Sequence, residues 1–478
     1  MSTRFTNIII LIILLISIFL WIYRIFPYFF NNLPLGYDPW LYKLLFLDYT
    51  NNLPNINFVN LTDWTKESYP PFLWFLWNIL HIIWFKIDFL LSFWLWFFSI
   101  ITTIFIYLNL KKYSKIAAII WVIIFLISII QYQSFWWNYY KQIIWIIFIL
   151  STFSLLEKKK YILSLPMIIS LFTIHRPSGV FFLITYIIYK LLNFIFNKDD
   201  NWINTGKKEL WIIISAWIIA IWIYIPVFQE QIINLIKPLL TTVLTEGKSW
   251  TFFSKSDFWN YNVFIILASI YWLYIKLQKK EFDIITSWYI AWMIWVWFWL
   301  FFYNRFYIFF DIFIILMAAY SFWVLYNKNK KYFSIIFITF FIFQSLFYFY
   351  YVKSHNRPLV SNIEFENIKK INKIVPENSM IMVTHKNYSP WIAWYTYKPT
   401  IAPWLFKKNL WDLETWKIWW SSDWEKKCEM INDYKIYNKP LYLWVWERQP
   451  RENLENWDCF EETQIKWNWF NLFKINFK

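Results

Sequence analysis

The chain has 478 residues, 59% of them hydrophobic, and a formal net charge of +16. Apolar runs approaching the roughly 20 residues that a bilayer-crossing helix needs recur along most of it, which excludes a soluble globular protein. The positive charge lies mainly in short loops between those runs, where Lys and Arg set membrane topology, so it calls for no nucleic-acid partner.

One feature of the composition is abnormal. There are 4 glycines and 38 tryptophans, where the usual glycine share of about 7% predicts about 33 glycines. Tryptophan also stands in polar turns, as in Ser134-Phe-Trp-Trp-Asn138 and Lys248-Ser-Trp-Thr251, where glycine is the natural turn residue. The expectation is that the source genome reads UGA as glycine, as some bacteria do, and that many of these positions are glycine in the cell. The alternative is true tryptophan enrichment, but interfacial aromatic belts do not explain tryptophan in polar turns of the tail. Tryptophan is therefore discounted as a binding residue.

In chain order, the run 7–23 reads as an uncleaved membrane anchor, with Arg4 on the cytoplasmic side. It leads into Pro34-Leu-Gly-Tyr-Asp-Pro-Trp-Leu-Tyr42. Asp38 is the first acidic residue of the chain, pinned by Pro39 at the membrane surface, which makes it a functional-site candidate. It also fits a helix N-cap followed by proline at the first helical position, and the two roles are compatible. The rest of the first outer loop, 31–87, carries Asp48, Asp63, Glu67 and Tyr69-Pro70-Pro71. Segments 39–50 and 72–85 are predicted as helices lying on the membrane. The alternative, 72–85 as a span, puts every later basic loop outside, against the positive-inside trend.

Spans are then expected at 88–110, 116–131, 142–156, 162–174, 178–196, 210–228, 262–277, 284–301, 307–326 and 332–352, eleven with the anchor. The outer loop 229–261 is large and mixed, suited to covering a site or merely to connecting spans. Two outer-edge clusters stand out: His175-Arg176-Pro177-Ser178-Gly179, and Asn304-Arg305 with Asp311 two turns into the next span. An edge arginine either snorkels to the surface or clamps a phosphate through its planar fork. His175 alone is weak evidence for a metal or an acid–base group. The tail, 353–478, reads as a soluble α/β domain, with a helix over 363–375 and strands at 380–384, 441–445 and 470–477. Its two cysteines, Cys428 and Cys459, match no metal or redox spacing.

These motifs resemble the GT-C type membrane glycosyltransferases, the superfamily of protein mannosyltransferases, aminoarabinose transferases and Rgt-like enzymes. The carriers are Gly36-Tyr-Asp-Pro-Trp-Leu-Tyr42 after the first span, Tyr69-Pro70-Pro71 before the second, Tyr303-Asn-Arg-Phe306 at a late outer edge, and Ile374-Val-Pro-Glu-Asn-Ser-Met-Ile-Met-Val383 in the tail. The departure is 131–141, which holds no acidic residue and so speaks against a paired-acid metal site. The resemblance implies a polytopic α-helical membrane protein with surface helices in its first outer loop, residues 1–352, followed by an extracytoplasmic α/β domain. It implies inverting transfer of a sugar from a polyprenyl-phosphate donor to an envelope acceptor at the outer face. Asp38 is then the catalytic base or a carboxylate that holds a divalent metal, with Tyr42, Asp48, Asp63, Glu67 and Tyr69 around the acceptor. Arg305, Arg176 and His175 fall near the donor phosphate. The competing readings are a transporter or lipid-linked-sugar flippase, marked by broken helices with buried charges and by internal repeats, and a non-catalytic envelope assembly protein. The sequence shows neither mark.

Overall fold

The structure is a computed structural model. It describes residues 3–24, 36, 42–43, 46, 59–61, 65–69, 72–83, 87–91, 93–111, 114–137, 139–196, 202–224, 255–279, 283–297, 303–356, 358–383, 389–396, 398–401, 417–419, 421–446, 458–467 and 470–477. The chain divides into two compact units, one formed by residues 1–30, 70–79 and 93–357, the other by 31–69, 80–92 and 358–478.

The first helix, α1 (Thr3–Tyr23), is followed by a short antiparallel hairpin, β1 (Val59–Leu61) and β2 (Thr65–Tyr69), in a stretch read from sequence only as turns. Helices α2 (Phe72–Ile83), α3 (Ile87–Leu91), α4 (Phe93–Leu110), α5 (Lys115–Leu126), α6 (Ile129–Trp136), α7 (Tyr140–Glu157), α8 (Tyr161–Ile174) and α9 (Arg176–Phe196) follow. Then come α10 (Trp202–Tyr224), α11 (Lys255–Lys279), α12 (Ile284–Trp297), α13 (Tyr303–Lys328) and α14 (Lys330–His355). In their described residues ten of the expected spans coincide with helix, and the remaining one, 116–131, is interrupted at Ile127 and Ser128. By length and composition, five described helices are able to cross a bilayer on their own, or six if one bent pair counts as a span.

That bent pair is α5 and α6, whose axes meet at 54°. The sequence reading carried one span to residue 131 and a loop beyond it; the chain instead starts a new helix. Ile127 ends α5, and Ser128 adopts an extended conformation and caps α6, its Oγ accepting from the Gln131 amide. The change follows the composition: apolar residues fill 116–127, while Gln131, Gln133 and Ser134 of α6 are polar and yet buried in protein. Non-regular backbone at membrane depth is tolerated only under such cover.

The centre of the bundle is α13. Every residue from Tyr307 to Phe322 is buried, on all faces of the helix, as befits a helix apolar all round. It packs against α5, α6, α7, α11, α12 and α14. Helices α8 and α9 meet at Gly179. A Cβ built there falls 2.6 Å from Phe172 Cδ1 and 2.8 Å from Phe172 Cα, so the close approach requires glycine.

In the second unit, α15 (Asn362–Ile374) begins with a capping box between Ser361 and Glu364. It is followed by β3 (Met380–Val383), α16 (Ser389–Thr396), β4 (Thr400–Ile401), α17 (Trp424–Asn432), β5 (Leu441–Trp446), β6 (Phe460–Trp467) and β7 (Phe470–Ile475). The five strands form one sheet in the order β4-β3-β5-β7-β6, parallel from β4 to β5 and antiparallel beyond. Strands β4 and β6 were not foreseen from sequence. Cys428 of α17 and Cys459, just before β6, form a disulfide beside the core of Met382, Leu443 and Phe473.

Candidate functional site

One end of the first unit brings together segments, far apart in sequence, that carry basic residues. α1 ends at Arg24, a guanidinium only 1% exposed, which stacks 4.8 Å above the ring of Phe135 in α6. The Tyr348 hydroxyl of α14 lies within its electrostatic reach. From α6, the Gln131 amide donates to the Ile308 carbonyl of α13 at 3.0 Å. On the other side of α13, the ring of Phe309 lies 6.5 Å from that of His175. Arg305 stands one helical turn before Phe309, and Arg176 opens α9 next to His175. The two outer-edge clusters picked from sequence thus belong to one end of the bundle, and Arg24 joins them. The signal for Arg24 was present: a lone arginine at the far end of an apolar run, opposite Arg4.

His175 is buried at the junction of α8 and α9, with Nδ1 2.6 Å from Ser178 Oγ. This contact holds the ring in the tight turn and ties up one nitrogen. The side chains of Arg176 and Arg305 are not among those described, although their helix positions are. Tyr42 is buried in the second unit, and its neighbour Lys43 lies 5.9 Å over the ring of Tyr395. Glu67 and Tyr69 are in β2, with Tyr69 opposite Val59. Asp38, Asp48 and Asp63 lie outside the described residues, as does most of 229–261.

A buried acidic residue of another helix lies against the start of the stretch 131–141. Asp311 of α13, fully buried, receives hydrogen bonds on Oδ2 from Ser128 Oγ at 2.7 Å and Gln131 Nε2 at 2.9 Å. Sequence reasoning had placed Asp311 in the span without a partner. Among the described residues, no three His, Cys, Asp or Glu side chains come together as a metal-ligand set.

No protein-family model matches this chain, and no curated protein matches it in sequence. Its fold, however, is found among solved structures. The archaeal oligosaccharyltransferase AglB of Archaeoglobus fulgidus, in complex with an inhibitory peptide and a dolichol-phosphate, superposes with a TM-score of 0.62 at 14% identity, covering 92% of this chain and 69% of that one. The apo form of the Archaeoglobus fulgidus oligosaccharyltransferase gives 0.62 at 14% identity over 93% and 70%. Its complex with Zn and sulfate gives 0.60 at 15% identity over 92% and 68%. The chain therefore shares the fold of these oligosaccharyltransferase structures: a polytopic helical bundle followed by a domain built on a β-sheet. At this identity the likeness is one of fold, and it singles out none of the narrower enzyme groups named above.

Proposed function

We propose that this protein transfers a sugar from a polyprenyl-phosphate donor to an envelope acceptor at the outer membrane face. The observation that carries the reading is the convergence of Arg24, the His175-Arg176 junction and the Arg305 turn at one end of a bundle with the oligosaccharyltransferase fold. Inverting transfer forms a bond from an acceptor heteroatom to the anomeric carbon and breaks the bond from that carbon to phosphate. The acceptor proton passes to a carboxylate, the role assigned to Asp38. The departing polyprenyl phosphate gains negative charge, which guanidinium groups stabilise in a water-poor site. Arg305 and Arg176 take that role, with Arg24 as a third cation. Tyr42, Asp48, Asp63, Glu67 and Tyr69 belong to the acceptor side. Asp38 is also the carboxylate that would hold a divalent metal; the described residues offer no further ligand set, so no step is assigned to one.

The charge pattern places the N-terminus in the cytoplasm and the tail outside, where the Cys428–Cys459 disulfide is at home. The test is incubation of the purified protein with radiolabelled polyprenyl-phosphate sugars and membrane acceptors. Labelled product and consumed donor are expected. One observation favours the transporter or flippase reading: the α5–α6 break with Asp311 buried against it. Donor crossing the bilayer of a proteoliposome without bond cleavage would choose that reading, and neither activity would favour an assembly role.

We also infer that many tryptophan positions are glycine in the cell. Trp121, Trp145 and Trp288 are fully buried, and their indole N–H groups meet no acceptor, whereas a buried indole normally finds one. The ring centroids of Phe181 and Trp292 are 3.7 Å apart, closer than the roughly 4.5–7 Å usual for aromatic pairs. Glycine there would suit close helix packing in a membrane. Peptide mass spectrometry of the native protein decides it; tryptophan at all three positions would end the idea.

A further inference from the structure

About 9 Å along α13 from Arg305, at the helical rise of 1.5 Å per residue, lies a layer of buried polar groups that the proposed transfer does not use. Four helices close around it. From α6, Ser128 and Gln131 hold Asp311 of α13, as described. Next to Gln131, the ring of Tyr132 meets that of Tyr348 in α14 edge-on at 6.1 Å. One turn back along α14, Gln344 Nε2 donates to the Tyr261 carbonyl of α11 at 3.4 Å. Asn262 follows Tyr261, and the register of α11 against α13 sets it level with Asp311. The rings of Phe258 and Tyr307 stack at 4.3 Å where the parallel helices α11 and α13 begin to pack. Asn262 and Asp311 are each four residues further on, hence one turn along on the facing stripes of both helices.

Three side chains in this layer, all 0% exposed, carry oxygens without a partner: Asp311 Oδ1, Asn262 Oδ1 and Gln344 Oε1. Asn262 Nδ2 is unpartnered as well. Both donors to Asp311 are neutral and both act on Oδ2, and among the described residues no cationic side chain pairs with it. A buried carboxylate left uncompensated is strongly disfavoured. Buried polar atoms without partners call for a ligand that supplies them. The donor set is one carboxylate and two amide oxygens, hard ligands carrying a single negative charge. A divalent ion would leave one positive charge buried and unbalanced.

We propose that this layer binds one Na⁺ ion, with Asp311 as the ligand that balances its charge and Asn262 and Gln344 as neutral ligands. The site ties α6, α11, α13 and α14 together beneath the basic end of the bundle. It is independent of the transfer reading, and its test reads stability rather than activity.

The purified full-length protein is unfolded thermally at pH 8 while NaCl replaces choline chloride at constant ionic strength. A ligand that binds only the folded state raises the midpoint in a saturable way; a rise of about 2 °C or more is expected at saturation. Asp311→Asn should abolish the response. Asn262→Leu and Gln344→Leu should each raise the half-saturating Na⁺ concentration by about tenfold, the loss of one ligand, and they keep the proposal testable if D311N does not fold. A flat wild-type titration would overturn the site and leave the layer to water. A sodium response undiminished in both Asn262→Leu and Gln344→Leu would overturn its location.

Discussion

Ser128 donates to Asp311 Oδ2 at 2.7 Å while its own oxygen accepts the Gln131 amide at 3.2 Å. One hydroxyl thus starts α6 and anchors it to the central helix. Ser128→Ala removes an N-cap, worth about 0.5–2 kcal/mol, and a hydrogen bond to a charged group, worth about 1.5–3 kcal/mol. The expected loss is about 2–5 kcal/mol by denaturant unfolding, and Ser128→Thr, which keeps the hydroxyl, should recover most of it. An alanine variant as stable as wild type would separate the cap from the carboxylate.

Arg305 is expected to stabilise the departing phosphate. Arg305→Ala should lower sugar transfer by about 10²-fold or more, the scale of a lost charge-stabilising donor. Arg305→Lys should retain part, because it keeps charge but loses the fork. Arg24→Leu preserves bulk over Phe135 and should lower transfer with little loss of fold. Full transfer rates in both Arg305→Ala and Arg24→Leu would remove the guanidinium groups from the reaction.

For Asp38 the base and cap roles separate cleanly. Asn caps a helix about as well as Asp, so Asp38→Asn leaves a capped helix and removes only the basicity. A folded, monodisperse D38N protein should lose about 10²–10⁴-fold in turnover, the range for positioned acid–base groups. Near-normal turnover would move the search to Asp48, Asp63 and Glu67.

Gly179→Ala places a methyl group against Phe172 backbone at 2.8 Å, where no side-chain rotation relieves it. The helices α8 and α9 must separate slightly, at a cost of about 1–3 kcal/mol. Because His175 sits in the same turn, the variant should also alter donor dependence. Thermal unfolding and a donor titration check both effects.

The Cys428–Cys459 link closes a loop with a sequence separation of 31 residues. In the chain-entropy account such a loop is worth roughly 3–4 kcal/mol. Cys428→Ser should lower the denaturant midpoint of the full-length protein's tail transition accordingly, with the bundle transition unmoved.

Much of the architecture was legible in the sequence because apolar runs in a membrane protein are long and their punctuation is charged. The helix at 362–374 and strands β3, β5 and β7 were legible through their periodicity. Strand β6, Phe-Glu-Glu-Thr-Gln-Ile-Lys-Trp, was hidden because its charged residues mask the alternation, and Lys474 of β7 pairs with Glu461 only across the strands. The α5–α6 break was missed because Ser128 lies between isoleucines, and its role depends on Asp311, 183 residues away. Edge arginines showed their type from sequence, but not that Arg24, His175 and Arg305 share one end. That is a tertiary fact carried by Phe135, Ile308 and Phe309.

The position of α13 has a consequence for how the protein is made. The helix against which α5, α6, α7, α11, α12 and α14 pack spans 303–328, late in the chain. Helices α5, α6 and α7 therefore leave the ribosome long before the partner that covers them exists, at about 5–20 residues per second. Their polar groups, Gln131 and Ser128 among them, must wait beside the insertion machinery or under a chaperone. Assembly is then a post-insertion event, timed by the arrival of one segment rather than by the order of synthesis.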